Sequence, residues 1–380
     1  MRLRSNRVLF FAILLAGFCL PGSLLMAFQA PPGTAEAQKP LTTDRDPVLS
    51  PESQTAPPSQ APSSQPAAGA AQTPVAPTGE TPLTRGANGR YTLQRNVDEV
   101  VLNATVLDDK QHLVENLSKD DFKVYEDGVL QTITSFQHQD IPIALGLLVD
   151  NSGSMRTKRQ AVNASALDLV RASNKDDESF VVNFSDEAYI DQDFTSSVPK
   201  LREGLSHIDS KGGTALYDAV VASADYMAKN AKLAKQVLLV ITDGEDNASS
   251  TTLEQTVRRI QDLQGPVVYC IGLLFNDDSG GHETRRARRA LQLLADETGG
   301  VAYFPKNLDQ VDEIAGEVAR DIRQQYTIGY HSSKPASQGG FRTIHVEAHA
   351  QGYPKLNVRT RSGYYPTTKR PARSGRDAGN

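Results

Sequence analysis

Ile141–Ser154 reads IPIALGLLVDNSGS. An apolar run from Ile141 to Val149 is the pattern of a buried strand, and Asp150 breaks it off into a small polar turn. A second apolar run, Val237 to Thr242, ends the same way on Asp243, inside Ile241-Thr242-Asp243-Gly244. Between them lies a Gly-rich loop, Lys211-Gly212-Gly213-Thr214. In an open α/β sheet the loops after the carboxyl ends of the strands form the ligand crevice. The spacing therefore predicts that Asp150, Ser152, Ser154, Thr214 and Asp243 gather at one rim. Two carboxylates and three hydroxyls are hard oxygen donors, suited to Mg²⁺ with Mn²⁺ or Ca²⁺ as alternatives.

This constellation resembles the metal-ion-dependent adhesion site of von Willebrand factor type A domains. The family pattern is D-x-S-x-S, then a distant Thr, then a distant Asp in a T-D-G setting. Asp150, Ser152, Ser154, Thr214 and Asp243 match it in order. The resemblance implies that the serines and Thr214 are direct ligands, and that the aspartates act directly or through water. It also implies that one coordination position is left for an Asp or Glu carboxylate of a protein partner. Taken singly, Asp and Ser after strands are ordinary turn and cap residues. Five matching positions in order are the stronger signal. Asp218, Glu245 and Asp246 lie close by in sequence and read as charge-tuning neighbours or as helix-start acids.

Residues 141–324 alternate strand and helix, with strands expected at 143–149, 179–184, 188–194, 236–242, 266–274 and 301–304. Leu253, Val257, Ile260 and Leu263 form one helical stripe. Leu308, Val311, Ile314, Ala315, Val318 and Ile322 form another. The fold class that follows is α/β, a doubly wound, mostly parallel, six-stranded Rossmann-like sheet. By the family resemblance, 188–194 is an antiparallel edge.

The flanks are β in character. Val100, Leu102, Ala104 and Val106 alternate with polar residues. Phe122 to Phe136, around Glu126-Asp127-Gly128, reads as a hairpin. Strands recur at Tyr326–Tyr330, Arg342–His349 and Leu356–Thr360. Neither flank alone holds enough apolar surface for a core. Residues 91–140 and 325–366 are therefore expected to form one sandwich-like β subdomain from both ends of the chain, with 141–324 inserted in it. Asp121–Gly128 (DFKVYEDG) and Arg361–Tyr365 (RSGYY) resemble the flanks of the type A-related domain of acidobacterial exported proteins.

Residues 1–27 read as a signal peptide or N-terminal anchor: Arg2, Arg4 and Arg7 precede the apolar segment Val8 to Leu20. An anchor of this kind would be the chain's only membrane contact. Residues 28–90 carry over half of the 21 prolines and read as a disordered linker; 367–380 read as a disordered basic tail. The expected location is the periplasm, cell envelope or exterior. A net charge of −5 gives no pull toward nucleic acid. Cys270 lies mid-strand and reads as a small buried residue.

Two further clusters have plainer readings. His345, Glu347 and His349 share a strand face, but alternate residues step about 7 Å apart, so a solvated polar face is expected. Arg285, Arg286, Arg288 and Arg289 read as the exposed approach to a helix over Leu291–Thr298. The chain has no G-x-S-x-G, P-loop or C-x-x-C motif. The function expected is a non-enzymatic, metal-dependent protein-binding module used in adhesion. The alternatives are an envelope scaffold with a stabilising metal, and a metal-dependent hydrolase.

Overall fold

The computed structural model describes residues 83–85, 91–93, 99–172, 174–275 and 281–366. The expected signal or anchor segment, nearly all of the expected linker and the expected basic tail lie outside the described residues. Two short strands, β1 (Leu83–Arg85) and β2 (Tyr91–Leu93), pair antiparallel.

The central sheet uses β7 (Ile143–Asp150), β8 (Glu178–Phe184), β9 (Ala188–Thr195), β10 (Lys235–Thr242), β11 (Val267–Gly272) and β12 (Ala302–Tyr303). Their order is β12-β11-β10-β7-β8-β9. All neighbours run parallel except β8 and β9, so the 188–194 strand is the antiparallel edge. All eight residues of β7 are buried, as a central strand covered on both faces requires.

Alternate residues of each strand feed two cores. Leu145, Leu147 and Val149 face α1 (Arg159–Arg171), α2 (Val198–Leu205) and α6 (Val311–Arg323). Leu148, Phe180 and Val182 face α3 (Leu216–Asn230), α4 (Leu253–Asp262) and α5 (His282–Thr298). Gly146 is required on this second face. A Cβ there would stand 2.5 Å from Leu238 Cδ2 and 2.6 Å from Phe180 Cζ. The missing side chain makes room for the Phe180 ring.

Helix α5 begins nine residues earlier than Leu291, at His282, so the four arginines lie within it. Arginine is a good helix former, and Ala287, Ala290, Leu291 and Leu294 supply a buried stripe at helical spacing. Arg288 lies over the Phe304 ring at 4.1 Å, and Arg286 pairs with Glu245 at 3.1 Å.

The flanking strands build two facing sheets. One has the order β15-β3-β13-β6, from β15 (Asn357–Arg359), β3 (Glu99–Leu107), β13 (Tyr326–His331) and β6 (Ile133–Gln137). The other has the order β16-β14-β4-β5, from β16 (Gly363–Tyr364), β14 (Arg342–Ala348), β4 (Phe122–Glu126) and β5 (Val129–Gln131). Val100, Leu102, Ala104, Val124, Tyr326, Ile328 and Val346 share the core between them. Both ends of the chain contribute to both sheets. The expected 122–136 hairpin is shorter than its pattern suggested. It closes as β4–β5, and the chain then crosses to the facing sheet as β6. Leu130 is consequently exposed, while Gln131 turns inward and bonds to Ser333.

The α/β unit leaves from β6 and returns through β13, and these two strands are direct neighbours, with Gln137 opposite Thr327. Its two ends are thus close together, the geometry in which one domain sits inside another without disturbing it. His345 and Glu347 occupy the outward face of β14, 3.4 Å apart. Among the described residues, no helix is long and apolar enough to cross a membrane.

Candidate functional site

The site stands at the carboxyl ends of β7 and β10. Asp150 is the last residue of β7 and is fully buried. Its carboxylate accepts from the Ser152 N–H at 2.8 Å through Oδ1, and from the Thr242 hydroxyl at 2.6 Å through Oδ2. Burial raises its pKa; the hydrogen bonds from Thr242 and Ser152 act the other way, and the charge of Asp243 adds to the rise.

Ser152 and Ser154 turn their hydroxyls to each other at 3.1 Å. Ser154 donates to Asp243 Oδ1 at 2.7 Å. The side chain of Asp243 is itself wholly screened from solvent. The first loop is held to the Gly-rich loop by backbone bonds, Lys211 N–H to Asn151 O at 3.1 Å and Gly153 N–H to Gly212 O at 3.4 Å. Asn151 Oδ1 also accepts from the Ser210 N–H at 3.2 Å.

The Gly-rich loop is shaped by what its backbone approaches. Gly212 has φ +77°, and a Cβ there would stand 2.1 Å from Asp186 Oδ2. On Gly213 a Cβ would stand 2.5 Å from Asn247 Oδ1. The Thr214 backbone is fixed on both sides: its N–H donates to Asn247 Oδ1 at 2.8 Å, and its C=O accepts from the Asn247 N–H at 3.0 Å. A Cβ on Gly244 would lie 3.6 Å from the Thr214 hydroxyl, which puts that hydroxyl beside the Asp243 turn. Asp150, Ser152, Ser154 and Asp243 are joined by hydrogen bonds directly or through Thr242, and Thr214 borders them through Gly244.

Asp218 and Asp246 have local duties. Asp218 caps the Ser250 and Thr251 N–H groups at 2.9 Å, and Asp246 accepts from the Tyr217 N–H at 3.0 Å. They brace the loop after β10 against the start of α3.

Sequence reasoning missed three participants. Thr242 bonds Asp150 across β7 and β10. Lys158 forms an ion pair with Asp243 Oδ2, the lysine side chain 7% exposed. Arg159, 1% exposed, donates to the Asp150 carbonyl at 3.4 Å and to Asn183 Oδ1 at 2.7 Å. Burial lowers its pKa to about 10, against the opposing charges of Asp150 and Asp191. A signal existed, since two cations at a helix start run against the helix dipole and call for another partner.

Among the described residues, no group of three or more His, Cys, Asp or Glu side chains is placed to hold a metal ion. The oxygens gathered here are hydroxyls as much as carboxylates.

No curated protein matches the chain in sequence. Solved structures similar to it include proximal thread matrix protein 1 from the mussel byssus with a zinc-occupied MIDAS motif (17% identity, TM-score 0.43, covering 53% of this chain and 50% of that one). A von Willebrand factor type A structure from Catenulispora acidiphila has 14% identity and a TM-score of 0.41, covering 72% of this chain and 64% of that one. The vWF domain of the type V pili tip protein Mfa5 from Porphyromonas gingivalis has 13% identity and a TM-score of 0.39, covering 48% of this chain and 97% of that one. The chain spans about half the length of the mussel protein. Its residues 145–245, which run from β7 through the Asp243 turn, match the family model of the von Willebrand factor type A domain.

Proposed function

We propose that this chain is an exported, non-enzymatic binding module that grips a protein partner through a divalent ion at the β7–β10 rim. The observation that carries this reading is the linked oxygen set: Ser152 and Ser154 at 3.1 Å, and Ser154 and Asp243 at 2.7 Å, beside a buried Asp150. The donor set fits a hard cation, because it is all oxygen and its carboxylates are withdrawn from water. Asp150, Ser152, Ser154, Thr214 and Asp243 would hold the ion, Mg²⁺ first and Mn²⁺ or Ca²⁺ after it. When bound, the ion supplies a Lewis-acid contact for an Asp or Glu carboxylate of the partner.

The chain's own residues do the positioning. Asp186 and Asn247 seat the Gly-rich loop, and Thr242 orients Asp150. The match of residues 145–245 to the type A family supports the same reading. Cys270, fully buried with its thiol pKa pushed up by desolvation, is an unsuitable nucleophile. The chain would divide into a signal or anchor segment over 1–27, a linker over 28–90, an inserted type A domain over 141–324 and a β subdomain from 91–140 and 325–366. That plan would hold the rim away from an envelope surface.

Calorimetric titration tests the site. The wild type is expected to bind one Mg²⁺, and Asp150→Ala and Ser152→Ala are expected to lose it while circular dichroism stays native. Retained affinity in both folded variants removes the site assignment. A pull-down from the native envelope fraction tests the partner: capture that survives a chelator favours a scaffold over a metal-bridged grip.

A further inference from the structure

Lys158 stands at the N-cap of α1 and makes no capping bond there. A cation at that end of a helix opposes the dipole, so the helix gives it no reason to be lysine. Its ammonium instead reaches Asp243 Oδ2, in a contact whose side chains are 7% and 0% exposed. The other oxygen of Asp243 accepts from Ser154. Every oxygen of that carboxylate is thus engaged from within the chain.

Resting on the metal-site reading above, we propose that Lys158 is a tethered competitor for the ion: a divalent cation bound through Asp243 displaces the Lys158 ammonium from Oδ2. Two cations sharing one carboxylate in a pocket shielded from water repel strongly, because the screening of bulk solvent is absent. One of them has to leave. Lysine is the mobile party, a single ammonium on a four-carbon stem. It also has somewhere to go, since its Nζ already lies 5.6 Å from the centre of the Phe275 ring, and an aromatic face attracts a cation.

Arg159 beside it is a different case. Its guanidinium is tied to the Asp150 carbonyl, to Asn183 and to the Leu205 carbonyl, so it remains as a fixed counter-charge. The two neighbouring cations divide the work. Arg159 supports the rim permanently, and Lys158 sets a threshold that a divalent ion has to overcome. A partner carboxylate brings negative charge to the rim once the lysine has been displaced. Ion and partner should therefore strengthen each other's binding.

The test uses the full chain and the metal alone. Calorimetric titration with Mg²⁺ is run on wild type, Lys158→Met and Lys158→Arg. Lys158→Met is expected to bind at least tenfold tighter than wild type, with Lys158→Arg close to wild type or weaker. The metal-free Lys158→Met protein is expected to melt several degrees lower, with Mg²⁺ restoring it. A second measurement needs no variant. Amine-reactive labelling of the wild type, read by mass spectrometry, should modify Lys158 slowly without Mg²⁺ and several-fold faster at saturation.

Unchanged or weaker Mg²⁺ binding in folded Lys158→Met overturns the proposal, as does labelling that ignores the ion. Should neither wild type nor Lys158→Met bind Mg²⁺ or Mn²⁺, the metal-site reading itself fails. If wild type binds and the variant binds no tighter, only the role of the lysine is lost.

Discussion

Gly212 combines a left-handed φ of +77° with a Cβ position 2.1 Å from Asp186 Oδ2. Alanine there meets both a backbone penalty and a clash with the carboxylate that seats the loop. The expected cost of Gly212→Ala is roughly 1–3 kcal/mol, with weakened Mg²⁺ binding alongside, because Thr214 is displaced. Denaturant unfolding and titration on the same sample check it; an unchanged midpoint and affinity would refute the account of the loop. Gly146→Ala, facing Leu238 Cδ2 at 2.5 Å, should cost a similar amount with no direct effect on the rim. At this scale the gathering of Asp150, Ser152, Ser154, Thr214 and Asp243 at one rim was legible in the sequence, because each follows a strand or a glycine pair, and their holding an ion is the proposal made above. Lys158 could not be placed, because its role depends on a contact with a residue 85 positions away. Thr242 was visible only as part of a motif. That its hydroxyl turns to Asp150 is a consequence of β10 lying beside β7.

Helix α4 begins with a reciprocal cap. Thr252 Oγ1 accepts from the Gln255 N–H at 3.3 Å, and Gln255 Oε1 accepts from the Thr252 N–H at 2.9 Å. Thr252→Ala should cost about 1 kcal/mol, measurable as a lower unfolding midpoint; no change would mean that packing alone holds the helix start. At the other end of the sheet, β10 opens with Lys235, whose ammonium bonds the Ile322 carbonyl in the last turn of α6. Burial lowers its pKa from 10.5 to about 8, with Asp321 and Asp140 opposing. Between those two values the unfolded chain holds a proton that the folded chain has released, so this group makes stability rise with pH there. The stability of wild type minus that of Lys235→Met is expected to increase across that window, and a flat difference would refute the burial argument. Strands such as β7 and β10 were legible because the unbroken apolar runs Ile143–Val149 and Val237–Ile241 have one natural use in an α/β chain. The start of α5 was not. Its first turns carry arginines whose partners, Glu245 and Phe304, come from distant loops. The crossing from β5 to β6 was also hidden, since one continuous alternation can serve two facing sheets.

The two halves of the molecule meet through polar contacts. Gln325 donates to Tyr269 at 3.1 Å, and Arg359 pairs with Asp321, which within the α/β unit also accepts from Tyr269 at 2.7 Å. On the β side, β3 and β13 pair over six residues although more than two hundred positions separate them, so neither folds without the other. Hydrogen exchange should show β3, β13 and β6 opening as one cooperative unit; β3 amides exchanging well ahead of β13 amides would contradict that. This interdependence was readable from composition, because each flank was too poor in apolar residues to stand alone; the strand order was not. The same pairing has a mechanical meaning. Tyr326 lies opposite Ala104, and His331 lies opposite Glu99. A pull on the rim reaches β13 at Tyr326, while the chain leading in from the N-terminus holds β3 at Glu99. The two grips are at opposite ends of the ladder, so tension loads its rungs in shear, all at once, instead of peeling them apart singly. Single-molecule stretching between residue 99 and the rim should meet a high rupture force at this strand pair, and a low one would contradict the shear geometry.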